Sequence, residues 1–229
     1  MTAKILEIFH SIQGEGKYVG VPQVFVRFFE CNMHCTWCDT PASIGDGKRE
    51  YKELNLKDTC FQVNALYGNA HSVSITGGEP LLQKDFLKSF CPSLRREGKK
   101  IYLDSNGTLP DALKEIIKDI DIIAMDIKLP SSTKQKAFWA EHIEFLKIAA
   151  RKEVFVKVVI SLDTHKEDII KAAKLVAGVD PEILFILQPN YLEMKKGIIE
   201  ECLGHQKSCA KILKDARILP QVHKFMKLR

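Results

Sequence analysis

Short apolar runs alternate along this chain with longer segments whose apolar residues recur at helical spacing. VFVRFF (24–29), SVSIT (72–76), KIYLDS (100–105), DIIAMDI (121–127), VFVKVVIS (154–161) and ILFILQ (183–188) are rich in Val, Ile and Phe. Most end beside Gly, Pro, Asn or Ser, which predicts strands. The intervening periodicity predicts helices over 57–67, 82–97, 110–118, 135–151, 165–177 and 193–215. The clearest is HKEDIIKAAKLVAG, with Gly178 as its stop. Strand and helix alternating in this way imply a parallel sheet with crossover helices, and strands as apolar as ILFIL imply burial on both faces.

No stretch rich in Pro, Gly or Ser divides the chain, so residues 1–229 are expected to form one domain. Its architecture is a partial α/β barrel or an open α/β sheet, and the pattern leaves that choice open. In both, ligands bind at the carboxyl ends of the strands. Polar residues gather there: Thr76-Gly77-Gly78-Glu79-Pro80, Ser105-Asn106-Gly107, Asp126 with Lys128, and Gln188-Pro189-Asn190. The segment CNMHCTWCDT (31–40) follows the first run in the same way.

Of the 229 residues 45% are hydrophobic and 28% charged, a soluble globular balance. No run approaches the roughly 20 apolar residues that span a bilayer. MTAKILEIFH, charged at Lys4 and Glu7, is not expected to be a signal peptide. The expectation is a cytoplasmic protein with reduced thiols and no membrane contact. The net charge of +5 is spread along the chain, which excludes a nucleic-acid stripe. The most basic patch, HKFMKLR (223–229), reads as a solvated end of the tail 216–229.

Composition matters most at the cysteines. Cys60, Cys91, Cys202 and Cys209 are scattered and read as free thiols, whereas Cys31, Cys35 and Cys38 cluster and point to metal. Structural zinc takes four ligands, and His34, which offers a fourth on paper, sits awkwardly inside the Cys31–Cys35 spacer. A four-iron electron carrier uses four cysteines. Three cysteines on a 4Fe-4S cluster leave one iron open to a substrate or cofactor.

CxxxCxxC with Trp37 before the third cysteine resembles the radical S-adenosylmethionine signature, and TGGEP at the next strand end resembles that superfamily's second motif. IFHSIQGEGKYVGVPQVFVRF (8–28), CDT (38–40), DSNGT (104–108), DIKLPSS (126–132), LQP (187–189) and LPQVHK (219–224) resemble the 7-carboxy-7-deazaguanine synthase family. The resemblance implies a partial (β/α)6-type barrel. It implies conversion of 6-carboxy-5,6,7,8-tetrahydropterin to 7-carboxy-7-deazaguanine with release of ammonia, a step toward queuosine and other 7-deazapurines. The implied cofactors are a 4Fe-4S cluster, S-adenosylmethionine and Mg²⁺. An electron donor such as flavodoxin or ferredoxin and a homodimer are implied as partners.

Carried over by position, the resemblance gives Cys31, Cys35 and Cys38 the cluster and Thr40 the Mg²⁺. Trp37, Cys38, Asp39, Gly77, Gly78, Glu79, Ser105, Asp126, Ile127, Lys128, Gln188, Pro189, Asn190 and Tyr191 fall where the family contacts S-adenosylmethionine. Gly77 and Gly78, without Cβ, would let backbone approach the cofactor's amino group. Ile12, Gln13, Gly14, Glu15, Arg27, Thr76 and His223 fall to the pterin. Residue types alone leave alternatives. Arg27 is a clamp or a solvent-facing strand residue; Glu15 is a ligand or a loop carboxylate. Ser105 donates a hydroxyl or caps the next helix, and Lys128 pairs with a carboxylate or ends a strand in solvent.

Two positions depart from the family pattern: Glu30 precedes the first cysteine where Gly is common, and Asp104 replaces Glu. Glu30 is expected to add negative charge near the cluster. The rival readings are a radical activase that installs a glycyl radical on a partner protein, and a zinc-binding or redox module without catalysis.

Overall fold

The computed structural model describes residues 1–45 and 51–228, so residues 46–50 and Arg229, the last residue of the tail, lie outside the described residues. The strands are β1 (Thr2–Ile12), β2 (Pro22–Phe28), β3 (Lys52–Asn55), β4 (Ser72–Gly77), β5 (Ile101–Ser105), β6 (Ile122–Asp126), β7 (Glu153–Ile160), β8 (Phe185–Pro189) and β9 (Ala216–Ile218). The helices are α1 (Leu56–Tyr67), α2 (Lys84–Arg96), α3 (Pro110–Ile116), α4 (Pro130–Thr133), α5 (Trp139–Ala149), α6 (Lys166–Val179), α7 (Ile198–Cys209) and α8 (Val222–Met226).

All nine strands belong to one sheet in the order β3-β1-β2-β4-β5-β6-β7-β8-β9. From β2 to β9 each neighbour is parallel, while β1 runs antiparallel to both β2 and β3. The six predicted strands are therefore the body of the sheet, and three more extend it. These three lack a clear apolar pattern. β1 carries an irregularity in register between Ile5 and Glu7, β3 is four mostly exposed residues, and β9 is three residues long.

Two helix boundaries also differ from expectation. Gly178 does not stop α6, which runs on to Val179. The segment 193–215 is broken at Gly197, whose φ of +86° ends a 3₁₀ turn before α7 begins; this left-handed conformation suits a residue without Cβ.

Side-chain alternation gives the sheet two different faces. One packs Val24, Val26, Phe28, Val73, Ile75, Ile123, Val156, Val158 and Leu187 against the helices in the main core. The other carries a smaller apolar floor of Tyr102, Ile122, Ala124, Phe155, Leu184 and Ile186. Two residues beyond Tyr102, Ala124, Phe155 and Ile186, period-2 spacing puts Asp104, Asp126, Lys157 and Gln188 on that same face. They form a polar layer above the floor, and the cavity opens over it. No described helix is long and apolar enough to cross a membrane.

Candidate active site

A cavity of about 450 Å³ lies at the carboxyl ends of β2 and β4 to β8. It is lined by Cys31, Cys35 and Cys38 together with Gln13, Glu15, Arg27, Asp126, Lys157 and His223, among others. Of the predicted site residues, Glu79, Ile127 and Pro189 do not line it; the others do. Ile127 and Glu79 are fully buried, and Ile127 belongs to the helix-side core.

Glu79 works behind the cavity wall. Its carboxylate accepts from the amides of Leu81 (3.1 Å) and Asn106 (2.8 Å) and from the Ser105 hydroxyl (3.1 Å). Ser105 in turn accepts from the Gly107 amide at 3.2 Å. The helix after Ser105 begins at Pro110 with Leu109 as its cap, so the capping alternative for Ser105 is not realised. Burial raises the Glu79 carboxyl to about 7 against these donors.

The glycines before it serve a contact between main chains. The Gly78 amide donates to the Phe28 carbonyl (3.2 Å) and the Glu79 amide to the Glu30 carbonyl (2.8 Å). A Cβ at Gly77 would lie 2.2 Å from the Phe28 oxygen, and one at Gly78 2.1 Å from the Glu30 oxygen. The structure thus gives a nearer reason for both glycines than approach to a cofactor: the turn must fit against the start of the cysteine loop.

Glu30 itself has φ +80°, the left-handed region, which accounts for a Gly preference there. Its carboxylate pairs with Lys4 at 2.7 Å, so the expected extra negative charge is partly neutralised.

Three further contacts secure the cysteine loop. Asn32 donates to the Thr108 hydroxyl and accepts from the Asn106 side-chain amide, both at 2.8 Å. The Trp37 indole N–H donates to the Ser132 hydroxyl (2.8 Å), and that hydroxyl donates to the Val159 carbonyl (2.9 Å). Gln135 holds the main chain of His34, donating to its carbonyl at 3.0 Å. His34 is exposed and outside the cavity lining, so it does not complete a metal site.

The thiols fit a cluster better than a single ion. Thiolates on one tetrahedral zinc lie roughly 4 Å apart, from Zn–S bonds of about 2.3 Å. Among the described residues, the group whose ligand atoms all fall within 4.8 Å is Glu15, Asp39 and His223, not the cysteines. Burial raises all three thiols, Cys31 to about 11, so iron must displace their protons on binding. The Glu15–Asp39–His223 group does not suit a cation, because Lys157 lies 2.5 Å from Glu15 and Lys224 3.3 Å from Asp39. Thr40 offers a hard oxygen suited to Mg²⁺. At present it donates to Asp39 (3.2 Å) and receives Arg27 at 3.4 Å.

Two buried acceptors on the cavity wall are left without partners: Asp126 Oδ1 and Gln188 Oε1. Buried acceptors are ordinarily satisfied, so these two fit the hydroxyl or amino donors of a bound cofactor. The other Asp126 oxygen pairs with Lys128 at 2.8 Å. Burial opposes the Lys128 charge, yet Asp126 outweighs it and the ammonium is held above its usual range. Lys128 also lies over the Trp37 ring, 4.9 Å from its centroid, so its solvent-facing alternative is excluded.

The remaining predicted contacts separate into free and committed groups. Arg27 is largely buried, held by Glu7 at 2.9 Å and stacked over Phe9, so it faces the cavity. Thr76 donates to Asp104 at 3.2 Å. Gln13 is occupied internally, donating to Gln23 (3.2 Å) and accepting from the Glu15 amide (3.2 Å). Asn190 caps its own turn through the Leu192 amide, and Tyr191 packs edge-on against Phe225.

The tail docks on the same region. The Val222 amide donates to the Gly14 carbonyl at 2.9 Å, and the His223 ring fills the space a Cβ on Gly14 would take, 2.1 Å from Nδ1. Gln221 donates to both Glu15 (2.7 Å) and Asp39 (3.1 Å). Sequence reasoning gave no separate role to Gln221, Asn106, Asn32, Ser132 or Lys157. The first four lie inside the quoted motifs, and Lys157 left its own signal, a charge inside the otherwise apolar run VFVKVVI.

Residues 26–176 match the family described as the Radical SAM superfamily. The 7-carboxy-7-deazaguanine synthase of Geobacter sulfurreducens is 37% identical over a 246-residue alignment covering 98% of this chain and 97% of that protein. The enzyme of the same name from Thermoplasma acidophilum is 35% identical, covering 97% and 96%. The chain belongs to the 7-carboxy-7-deazaguanine synthase family. The solved structure of QueE from Escherichia coli superposes with a TM-score of 0.64 at 20% identity, covering 97% of this chain and 95% of that one, which shows the shared fold.

Two outcomes are expected. Replacing Cys31, Cys35 or Cys38 with Ala abolishes a stable iron–sulfur chromophore, while Ala at Cys60, Cys91, Cys202 or Cys209 preserves it; iron and sulfide content after anaerobic reconstitution decides this. For Glu79, the folded chain binds more protons than the unfolded one between about 4.5 and 7, so stability falls as pH rises through that window. Glu15, brought down to about 2, acts only below it and with the opposite sign. Urea midpoints for Glu79→Gln should depend less on pH across the window than those of the parent, and an unchanged slope would refute the assignment.

Proposed function

We propose that this enzyme converts 6-carboxy-5,6,7,8-tetrahydropterin to 7-carboxy-7-deazaguanine with release of ammonia, for 7-deazapurine biosynthesis. The observation that carries the reading is one cavity in which the three thiols, two unpartnered acceptors and the Gln13–Glu15, Arg27 and His223 group share a wall. When bound, a reduced 4Fe-4S cluster and S-adenosylmethionine supply a carbon radical able to abstract hydrogen from the pterin.

The chain's own residues bind, orient and shield. Cys31, Cys35 and Cys38 would hold the cluster through their thiolates, a ligand set that leaves a position for the cofactor. Asp126 and Gln188 accept from the cofactor's polar hydrogens, and Trp37 and Tyr191 contribute apolar surface beside it. Arg27, with Glu7 on its Nε, has Nη1 directed toward Thr40. Arg27 would hold a substrate carboxylate there, and the Thr40 hydroxyl would be one oxygen ligand of a Mg²⁺ that supplies positive charge beside it. Glu15 and His223 are the groups offered to the pterin ring, with the His223 ring packed against Gly14. A flavodoxin- or ferredoxin-type donor supplies electrons, the chain works as a homodimer, and the setting is cytoplasmic.

The test is anaerobic. The reconstituted, reduced enzyme is given S-adenosylmethionine, Mg²⁺ and the carboxy-tetrahydropterin, and 7-carboxy-7-deazaguanine is sought by mass spectrometry. Product without stoichiometric consumption of S-adenosylmethionine is expected; 5′-deoxyadenosine without that product would reject the substrate. Thr40→Ala is expected to lose Mg²⁺ stimulation while retaining the cluster and S-adenosylmethionine binding. Undiminished stimulation would remove Thr40 from the metal site.

A further inference from the structure

Lys157 stands on β7 with its side chain directed into the cavity, yet the substrate, metal and cofactor roles above leave it without a task. The residue is 6% exposed. Its Nζ lies 2.5 Å from Glu15 Oε2, 3.5 Å from Asp104 Oδ1 and 3.9 Å from Asp126 Oδ2. These carboxylates come from three separate places: the loop after β1, the end of β5 and the end of β6. Asp126 and Lys157 are register partners on adjacent strands, so the sheet itself fixes that approach. An ammonium carries three N–H donors around a compact charge, which suits one lysine to several acceptors.

The arrangement is lopsided in a way that bears on binding. Glu15, Asp104 and Asp126 face two ammonium groups, Lys157 and Lys128. Without Lys157, the buried Asp126 and the partly buried Glu15 and Asp104 would face one cation, Lys128. Although burial pushes the Glu15 carboxyl up, Lys157 brings it down to about 2, and Gln221 adds to the effect.

An ionised carboxylate has about four acceptor positions. On Glu15, Lys157 occupies one at Oε2 and Gln221 one at Oε1. One position remains on each oxygen. The ring N–H and adjacent amino group of a pterin present two parallel donors, the pattern that a carboxylate receives side by side.

We propose that Lys157 is the positioning residue that holds the Glu15 carboxylate for the pterin's N–H edge. The inference rests on the pterin reading above. Lys157 touches neither reacting atom; it acts through Glu15.

The experiment uses the reconstituted holoenzyme. Lys157→Met should raise the KM for the pterin about 30-fold or more, the scale expected when one partner of a buried charge pair is removed. The KM for S-adenosylmethionine should stay within about threefold of the parent value. More 5′-deoxyadenosine should form per product, because the radical step is no longer matched to a seated substrate. Glu15→Gln combined with Lys157→Met should lose little beyond either change alone, since both break one interaction.

If Lys157→Met does not fold, Asp104→Asn with Lys157→Met preserves the net charge of the group and leaves Glu15 in place. The same rise in pterin KM is expected of it. A folded variant whose pterin KM stays within about threefold of the parent, or losses that simply add in the double variant, would overturn the role of Lys157. Absence of product from the parent enzyme itself would instead overturn the pterin reading, and the proposal with it.

Discussion

The site depends on a turn and a loop meeting backbone to backbone. The Gly77–Glu79 turn reaches the chain at Phe28 and Glu30 because neither glycine carries a Cβ in the gap. The two hydrogen bonds formed there contribute only about 1 kcal/mol each. Their weight lies in what they align. With the turn seated, the Glu79 carboxylate points inward and ties the ends of β4 and β5 together. The Asn32 to Asn106 and Thr108 contacts then bring in the cysteine loop from the other side. A cluster held by one short loop needs that loop pre-shaped, because its supporting contacts decide whether the thiols stay in place.

Above this frame, the inner face of the sheet separates packing from chemistry by depth. Tyr102, Ala124, Phe155 and Ile186 supply an apolar floor, and the residues two positions onward supply charge. Burying charge is severe unless it is paired. Here Lys157 pairs with Asp104 and Asp126 on the two preceding strands and with Glu15 of the loop after β1, and Lys128 pairs with Asp126 at the end of one strand. Removing one partner of such a pair typically costs about 3–5 kcal/mol. The layer is therefore satisfied except at Asp126 Oδ1 and Gln188 Oε1, which are the places where a ligand's donors are still required.

The body of the fold was legible in the sequence because buried parallel strands announce themselves as short apolar runs. The added edge strands were not, since β3 is mostly exposed and β9 too short to show a period. In the site, the thiols, Arg27 and His223 were legible from motif spacing, and the structure gathers them around one cavity. The side chains that hold them in place were harder to see. Asn32 and Ser132 are ordinary polar residues, and the contacts that tie them to Asn106 and Trp37 span 74 and 95 positions. Glu79, a motif residue expected at the cofactor, lies fully buried behind the cavity lining, where it braces Ser105 and Asn106. Motif membership identifies residues that matter without saying which side of the wall they occupy.

The two groups of the site differ in how they are held. The cysteine loop is stitched to strand ends whose own side chains are buried in the core, so its geometry is inherited from the most stable part of the molecule. The tail is anchored more lightly, with Ala216, Ile218 and Leu219 only partly buried against the core. β9 is a three-residue strand, and α8 has no buried residue. It is seated mainly by polar contacts, from Val222 to Gly14 and from Gln221 to Glu15 and Asp39. Elements with little apolar burial open at low free energy. The group proposed for the pterin therefore borders the part of the fold that yields most easily, while the cysteine loop borders better-packed strand ends. That division matches chemistry in which the substrate must come and go and the cluster must stay.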